Sequence, residues 1–237
     1  MPADRNVISA NGTPSEYIGG AVLVAGGPIV GNYIGTDPSG TLARGNLGEG
    51  ISTDGADITA NRIAFNRNGI ARGASYGSAI LANEIFSNTG LGIDLIPSGV
   101  SLDGVTPNDP NDADSGTQGL QNFPIVSQTE EIGGLLTISG TLDVPAATSG
   151  AAYQIGVYWS PACDASGFGE GKVPLGTGTV SLSGNAEAFH FALPVLLVSG
   201  GVITTTATSP AGSTSEFSAC SKLVAPPDNI FSGDFEF

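Results

Sequence analysis

The stretches NRIAFNRNGIARG, residues 61–73, and NEIFSNTGLGIDL, residues 83–95, decide the fold of this chain. Each copy opens on Asn-x-Ile, reaches a second Asn five residues after the first, and continues with Gly and an aliphatic residue. The two copies start 22 residues apart, and looser copies start at residues 6 and 32 as NVISAN and NYIGTD. A period of this size is typical of solenoid proteins, in which each repeat packs on its neighbours.

The composition of the repeats indicates β-structure rather than helix. Gly makes up 36 of the 237 residues, and runs of strong helix formers are scarce. Short β segments with Asn and Gly at the corners predict a parallel β-helix of about four coils, with single aliphatic residues stacked inside. The recurring Asn residues either form a side-chain amide ladder or serve the turns, where Asn tolerates left-handed backbone angles. Of these two roles we expect the turn role.

The second half of the chain follows another pattern. Residues 123–223 contain seven β-like runs separated by turn residues. Period-two alternation with frequent turns predicts an antiparallel sandwich of immunoglobulin-like type. We therefore predict an all-β chain in which a β-helix is followed by a sandwich. Its parts are β-helix coils at 1–97, an acidic junction loop at 98–122, the sandwich at 123–224 and a flexible tail at 225–237.

The charge of the chain limits its partners. It carries 22 acidic and 7 basic residues, for a net charge of −15. Binding to nucleic acid requires clustered Lys and Arg, so we expect no such partner and favour divalent cations and neutral or cationic ligands. No apolar run approaches the roughly 20 residues of a membrane span, and the N-terminal residues lack the apolar core of a signal peptide.

The two cysteines, Cys163 and Cys220, indicate the compartment. An even count in a chain with only 12% charged residues favours a disulfide and a secreted or cell-surface location. Such a bridge would stabilise the fold by about 4 kcal/mol in the chain-entropy view. The alternative is a pair of buried free thiols.

The junction loop carries the strongest chemical pattern. The stretch DLIPSGVSLDGVTPNDPNDADSGTQGLQNFP, residues 94–124, contains no Lys or Arg to balance its carboxylates. Oxygen ligands at alternate positions before a Gly suit a hard cation, which predicts a structural Ca²⁺ site. The alternative is a solvated acidic linker with Asx-turns. The candidate ligands are Asp103, Asn108, Asp109, Asp112 and Asp114.

Several phrases resemble a known family. They are NYIGTDPSGT, NEIFSNTGLGIDL, GVTPNDPNDADSGTQGLQNFPIV, SPACDASGFGEG and TATSPAGSTSEFSAC. They resemble the C-terminal part of bacterial extracellular right-handed parallel β-helix repeat proteins of the CSLREA-domain type, over nearly the whole chain. The resemblance implies a right-handed helix, an immunoglobulin-like C-terminal domain, and a surface, adhesive or carbohydrate-related role.

Catalysis is the competing hypothesis. A calcium-dependent hydrolase or polysaccharide lyase would need carboxylates and a base on one outward face, for which Asp54, Arg72 and Asp94 are the weak candidates. The lone His190 is expected to face solvent as an ordinary strand residue. If the chain instead binds glycans, we expect exposed aromatic side chains such as Tyr33, Tyr76 and Tyr158 to form the binding surface.

The N-terminal coil has no evident capping element before Asn6. An uncapped coil exposes apolar residues and backbone edges. We therefore expect this coil to self-associate or to be covered by a loop such as residues 12–19.

Overall fold

The computed structural model describes residues 5–12, 20–24, 26–53, 55–71, 77–97, 104–145, 150–195 and 200–223. These residues form an all-β protein with parallel sheets in the first part and antiparallel sheets in the second. The described part also contains one 3₁₀ helix, Thr117–Leu120, between the two. None of its helices is long and apolar enough to cross a membrane.

The parallel part is built from short strands that rotate through three sheets. The first sheet has the order β1-β4-β7-β10, the second β11-β8-β5-β2 and the third β3-β6-β9, so each strand pairs with the one three places along the chain. The strands are β1 Val7–Ile8, β2 Val22–Val24, β3 Ile29–Val30, β4 Tyr33–Ile34, β5 Ile51–Thr53, β6 Ile58–Thr59, β7 Arg62–Ala64, β8 Ile70–Ala71, β9 Ile80–Leu81, β10 Glu84–Phe86 and β11 Ile93–Asp94.

Columns of isoleucine fill the space between these sheets. In the first sheet Ile34, Ile63 and Ile85 are register partners, and the other two sheets carry equivalent columns. Every isoleucine of the columns is at most 6% exposed. Burying one such side chain contributes about 1.5–3 kcal/mol, so the columns supply the main apolar stabilisation of this part. The remaining members are Ile51, Ile70, Ile93, Ile29, Ile58 and Ile80.

Two asparagine ladders run alongside the isoleucine columns. In the first ladder, Asn6 Nδ2 donates to Asn32 Oδ1 (2.8 Å), Asn32 Nδ2 donates to Asn61 Oδ1 (3.1 Å), and Asn61 Nδ2 donates to Asn83 Oδ1 (3.0 Å). The second ladder repeats this through Asn11, Asn46 (3.1 Å), Asn66 (2.7 Å) and Asn88 (3.1 Å).

The ladders correct the expectation that these Asn residues mainly serve turns. The residue before the Asn takes the left-handed backbone conformation instead, as at Ala60 (φ 54°), Phe65 (φ 63°) and Ala82 (φ 53°). This conformation is uncommon outside Gly. The side-chain amides bond along the ladder, and each Oδ1 also accepts from the backbone N–H of the Asn in the preceding turn, as Asn66 does from the N–H of Asn46.

The antiparallel part contains a strand in each of the seven predicted runs. One sheet has the order β12-β13-β16 and the other β15-β14-β17-β18. Leu136 and Ile138 of the first pack with Ile155, Val157 and Ile203 of the second in one buried core. The strands are β12 Ile125–Ile132, β13 Leu135–Asp143, β14 Ala152–Ser160, β15 Val173–Ser181, β16 Ala186–Pro194, β17 Val202–Thr208 and β18 Ser221–Lys222.

Two segments of the antiparallel part cover the last turn of the parallel part. We call residues 169–171 and 213–217 the cap segments. The carbonyl of Gly171 accepts from the N–H of Ile85 at 2.9 Å, on the last strand of the first sheet. Thr214 Oγ1 accepts from the N–H of Ile80 at 3.0 Å, on the last strand of the third sheet.

The second sheet is closed in the same way just after β11. Glu216 is 3% exposed and its Oε1 accepts from the N–H of Leu95 at 2.8 Å. Beside it, Phe217 joins the isoleucine core and packs edge-to-face on Tyr158 at 5.2 Å. The backbone groups that a further turn would have satisfied are therefore bonded to the cap segments.

Cys163 and Cys220 are joined in a disulfide, with Cα atoms 5.9 Å apart. Cys163 precedes the first cap segment and Cys220 follows the second. The bridge therefore ties together the chain on either side of the cap, because both cap segments lie between its two ends.

Breaking the second ladder in its interior should cost more than breaking it at its end. Asn66 is 1% exposed, accepts from the side chain and backbone of Asn46, and donates to Asn88. We expect Asn66→Ala to lower the free energy of unfolding by about 3 kcal/mol, since it leaves buried polar groups unpaired. Asn11→Ala, at the exposed end, should cost less than about 1 kcal/mol. Urea unfolding of both variants measures the difference, and equal losses would contradict a cooperative ladder.

Candidate metal centre

Three carboxylates of the junction loop converge. One ligand oxygen from each of Asp109, Asp112 and Asp114 lies within 4.8 Å of the others. The segment that carries them runs from the last turn of the parallel part to β12, with the 3₁₀ helix at its end. The cluster could hold a metal ion, because oxygen ligands at this separation match what a hard cation requires.

Asn122 holds the cluster in place. Its Oδ1 accepts from the N–H of Asp109 at 3.1 Å, and its Nδ2 donates to the carbonyls of Asp109 (2.8 Å) and Asp143 (3.0 Å). Its own N–H donates to Asp112 Oδ1 at 2.7 Å. Since Asn122 is 2% exposed, these bonds fix the loop against the end of β13.

The electrostatics of the cluster favour a cation. Burial, together with repulsion from the neighbouring carboxylates Asp114, Asp109 and Asp143, raises the pKa of Asp112 to about 7, although the bond from the N–H of Asn122 opposes the rise. Burial and Asp109 also raise the pKa of Asp114. The ion pairs found in the described part of the chain lie elsewhere, at Arg62–Glu84 and Arg67–Glu49. A bound cation would offset the repulsion among these carboxylates.

The predicted ligands fall into three groups. Asp109, Asp112 and Asp114 come together, and Asp103 lies outside the described residues. Asn108 anchors the loop instead, because its Nδ2 donates to the carbonyl of Phe123 (2.7 Å) and its Oδ1 accepts from the N–H of Phe123 (3.0 Å).

Sequence reasoning missed two residues of the site, Asn122 and Asp143. Asp143 accepts from the N–H of Asn111 at 3.2 Å and adds a fourth negative charge near Asp112. Asn122 stands inside the quoted loop sequence, but its role depends on contacts with β13, which no local spacing reveals.

The catalytic candidates do not form a site among the described residues. Asp54 and Arg72 lie outside them. Asp94 is aligned with Ala71 as expected, but the outward face predicted for it is wrong, because Asp94 is 2% exposed. Its Oδ2 accepts from Asn68 Nδ2 at 2.6 Å, beneath the last turn that the cap segments cover.

The other predicted positions also have local partners. His190 is exposed, and its Nδ1 lies 2.9 Å from Ser139 Oγ on the neighbouring strand. Tyr158, expected to face outward, is buried at 3% against Phe217. Arg5 covers the ring of Tyr33 at 3.9 Å, and Tyr76 lies outside the described residues.

A second buried carboxylate, Glu170, ends the second asparagine ladder. Its Oε1 accepts from Asn88 Nδ2 at 2.6 Å and from the N–H of Asn88 at 3.2 Å. Burial raises the pKa of Glu170 to about 7, although the bonds from Asn88 oppose the rise. The residue lies 82 positions from Asn88 in the chain, so its role could not be found from the repeat itself.

Comparisons with protein-family models and with curated proteins found no match for this chain.

The buried carboxyl of Glu170 should make stability fall as the pH rises. The folded protein keeps a proton that the unfolded chain, with an ordinary pKa of 4.5, releases between pH 4.5 and about 7. The resulting contribution of Glu170 to the free energy of unfolding is fully present below pH 4.5 and is lost as the pH rises through about 7. The loss amounts to at most about 3 kcal/mol. Urea unfolding from pH 4 to 8 in chelator measures it.

The matched variants for this experiment are Glu170→Gln and Glu130→Gln. The first keeps an acceptor for Asn88 without a titrating proton, so the pH dependence should become shallower. The second removes the same charge on β12, away from the ladder, so its profile should follow that of the unaltered chain. A Glu170→Gln profile as steep as the control would show that the slope arises elsewhere.

Proposed function

We propose that this chain is an extracellular or cell-surface module for adhesion or glycan interaction, with a structural Ca²⁺ site at the junction of its two parts. The observation that carries the proposal is the convergence of Asp109, Asp112 and Asp114 in the loop that joins them, with no ion pair to these carboxylates among the described residues. A cation there would fix the orientation of the parallel part relative to the antiparallel part, which is a structural rather than a catalytic role.

The proposed architecture is a right-handed parallel β-helix followed by an immunoglobulin-like sandwich, as in the CSLREA-domain type of bacterial proteins that the sequence resembles. The rotation of strands through three sheets, with aliphatic columns inside, supports a β-helix. Two antiparallel sheets around one core support the sandwich.

The proposed location outside the cell is supported by two features. The disulfide between Cys163 and Cys220 favours an oxidising compartment. The low charged fraction of 12% leaves the surface to be solvated by uncharged polar residues.

Calcium should stabilise the intact chain through the junction loop. We expect Ca²⁺ to raise Tm by several degrees relative to chelator, because the ion binds the folded state and removes the repulsion among the three carboxylates. The measurement is a thermal melt with Ca²⁺ and with EGTA. Asp112→Asn with Asp114→Asn should abolish the difference while keeping side-chain size.

The control for the calcium melt removes two charges outside the loop. Glu130→Gln with Glu131→Gln changes the net charge equally on β12, and the amide introduced by the second substitution keeps an acceptor for the N–H of Gly134. This double variant should retain the calcium-dependent rise. If chelation leaves the Tm of the unaltered chain unchanged, the junction loop is a solvated linker and the calcium proposal fails.

Self-association through the first turn is part of the proposal. The strands β1, β2 and β3 stand at the edges of their sheets, where Val7, Leu23 and Val30 are 39%, 75% and 52% exposed. A second copy could bury these side chains and pair these edges.

Leu23→Lys should weaken this self-association, since it places a charge at the centre of the exposed apolar edge. We expect the unaltered chain to shift from monomer to dimer with rising concentration in sedimentation velocity, and the variant to remain monomeric. Leu42→Lys, at an exposed leucine outside these edge strands, is the control. A clean monomer at high concentration would contradict the proposal.

The second candidate function is a calcium-dependent hydrolase of polysaccharides. The observation that favours it is the carboxylate cluster of Asp109, Asp112 and Asp114, because a cation held there could polarise an oxygen of the substrate. Its weakness is the placement of Asp94, which is 2% exposed and cannot meet a substrate.

A further inference from the structure

A cavity of about 480 Å³ opens directly beside the carboxylate cluster. Asp112 and Asp114 line one part of it, and Gln118, Tyr153 and Pro210 line another. Its volume lies within the range of sites that bind small organic ligands. The cavity combines carboxylate oxygens with an apolar wall, so a ligand there would meet both.

Gln118 gives the cavity a second polar group, independent of the carboxylates. The side chain is 1% exposed, and its Oε1 accepts from the N–H of Thr214 at 3.3 Å. Its Nε2 is buried and has no hydrogen-bond partner among the described residues. A buried donor without a partner is destabilising, so an acceptor supplied by a ligand would stabilise the fold at this point.

The backbone at Gln118 is held in an unusual conformation. Gln118, Gly119 and Leu120 all take positive φ angles, of 56°, 73° and 51°. Gln118 and Gly119 line the cavity, and the nearby Gln121 lines it as well.

We propose that this cavity binds a neutral hexopyranose through the cation at the cluster. Two neighbouring hydroxyls of the sugar complete the coordination of a Ca²⁺ held by Asp112 and Asp114, and a further sugar oxygen accepts from Gln118 Nε2. The inference rests on the proposed calcium site and names the ligand class that this site recognises.

The coordination chemistry calls for oxygens from a ligand. Ca²⁺ takes six to eight oxygens, and three carboxylates supply only part of that number. One carboxylate oxygen of Asp112 is already engaged with the N–H of Asn122. A pair of vicinal hydroxyls supplies two neutral oxygens, which adds ligands without adding charge.

The walls of the cavity also favour a neutral sugar as the ligand. Pro145, Ala151 and Pro210, which are partly or fully exposed, offer apolar surface to the C–H faces of a sugar ring. The net charge of −15 disfavours anionic sugars at this surface. A cationic amine would satisfy the carboxylates, but its N–H groups would face the Gln118 donor rather than accept from it.

The test is ¹H–¹⁵N NMR of the intact, ¹⁵N-labelled chain, which observes the side-chain amide of Gln118 and the N–H of Thr214. The probes are methyl α-D-mannopyranoside and methyl α-D-galactopyranoside, each with Ca²⁺ and with EGTA. Tetrahydropyran, a similar ring without hydroxyls, is the ligand control. We expect at least one glycoside to shift both resonances in Ca²⁺ only, with tetrahydropyran shifting neither.

Two variants locate the binding. Gln118→Glu keeps an acceptor for the N–H of Thr214 but removes the donor, so it should bind Ca²⁺ and weaken the glycoside by roughly tenfold, the loss of about one hydrogen bond. Ala211→Phe places a ring at the exposed rim of the cavity, away from the cluster, and should exclude the glycoside while the calcium-dependent rise in Tm persists.

The outcomes separate this inference from the calcium site. Calcium stabilisation without glycoside shifts would overturn the inference and leave the metal site standing. Absence of calcium stabilisation would contradict both the calcium site and the sugar site. Glycoside shifts that persist in EGTA, or in Ala211→Phe, would place the sugar at another site and overturn the inference. Release of methanol would show that the chain hydrolyses the glycoside, which would also overturn the inference of a binding site.

Discussion

A stack of asparagine side chains needs an acceptor at its end, and the rest of this structure depends on how that need is met. Within the second ladder each amide donates to the next turn, so the last one, Asn88, has a donor left over. Glu170 supplies the acceptor from the antiparallel part. Because the donor is buried, leaving it unpaired would cost about as much as several of the ladder bonds contribute. This short, buried contact is therefore one of those that couple the two parts of the chain.

The same logic extends across the whole end of the repeat. Gly171, Thr214 and Glu216 each bond to the last turn of a different parallel sheet. The disulfide ties the chain on both sides of these cap segments. The junction loop also connects the two parts, and it carries the carboxylate cluster. The cap bonds to this loop as well, because Glu216 Oε2 accepts from the N–H of Thr106 and the N–H of Thr214 donates to Gln118 Oε1. A cation at the cluster would thus add to the contacts that already hold the two parts together.

The features that could be predicted from the sequence are those that recur at fixed intervals. The isoleucine columns follow from the 22-residue spacing of residues 61–73 and 83–95, and the seven antiparallel strands follow from period-two alternation. The features that escaped prediction depend on contacts between distant segments. Glu170 stands in a loop with no repeat, and Asn122 acts through the end of β13. Asp94 has the sequence of an outward residue, yet it is buried and bonded to Asn68 of the preceding turn.

The directionality of the ladders has a consequence for the length of the protein. Every turn presents the same donors to the next turn and the same acceptors to the previous one, and the cap meets only the final turn. A duplicated turn inserted in the middle would therefore leave both ends chemically unchanged. The number of turns is free to vary by duplication, so that the length of the parallel part can change in evolution without any change in the cap.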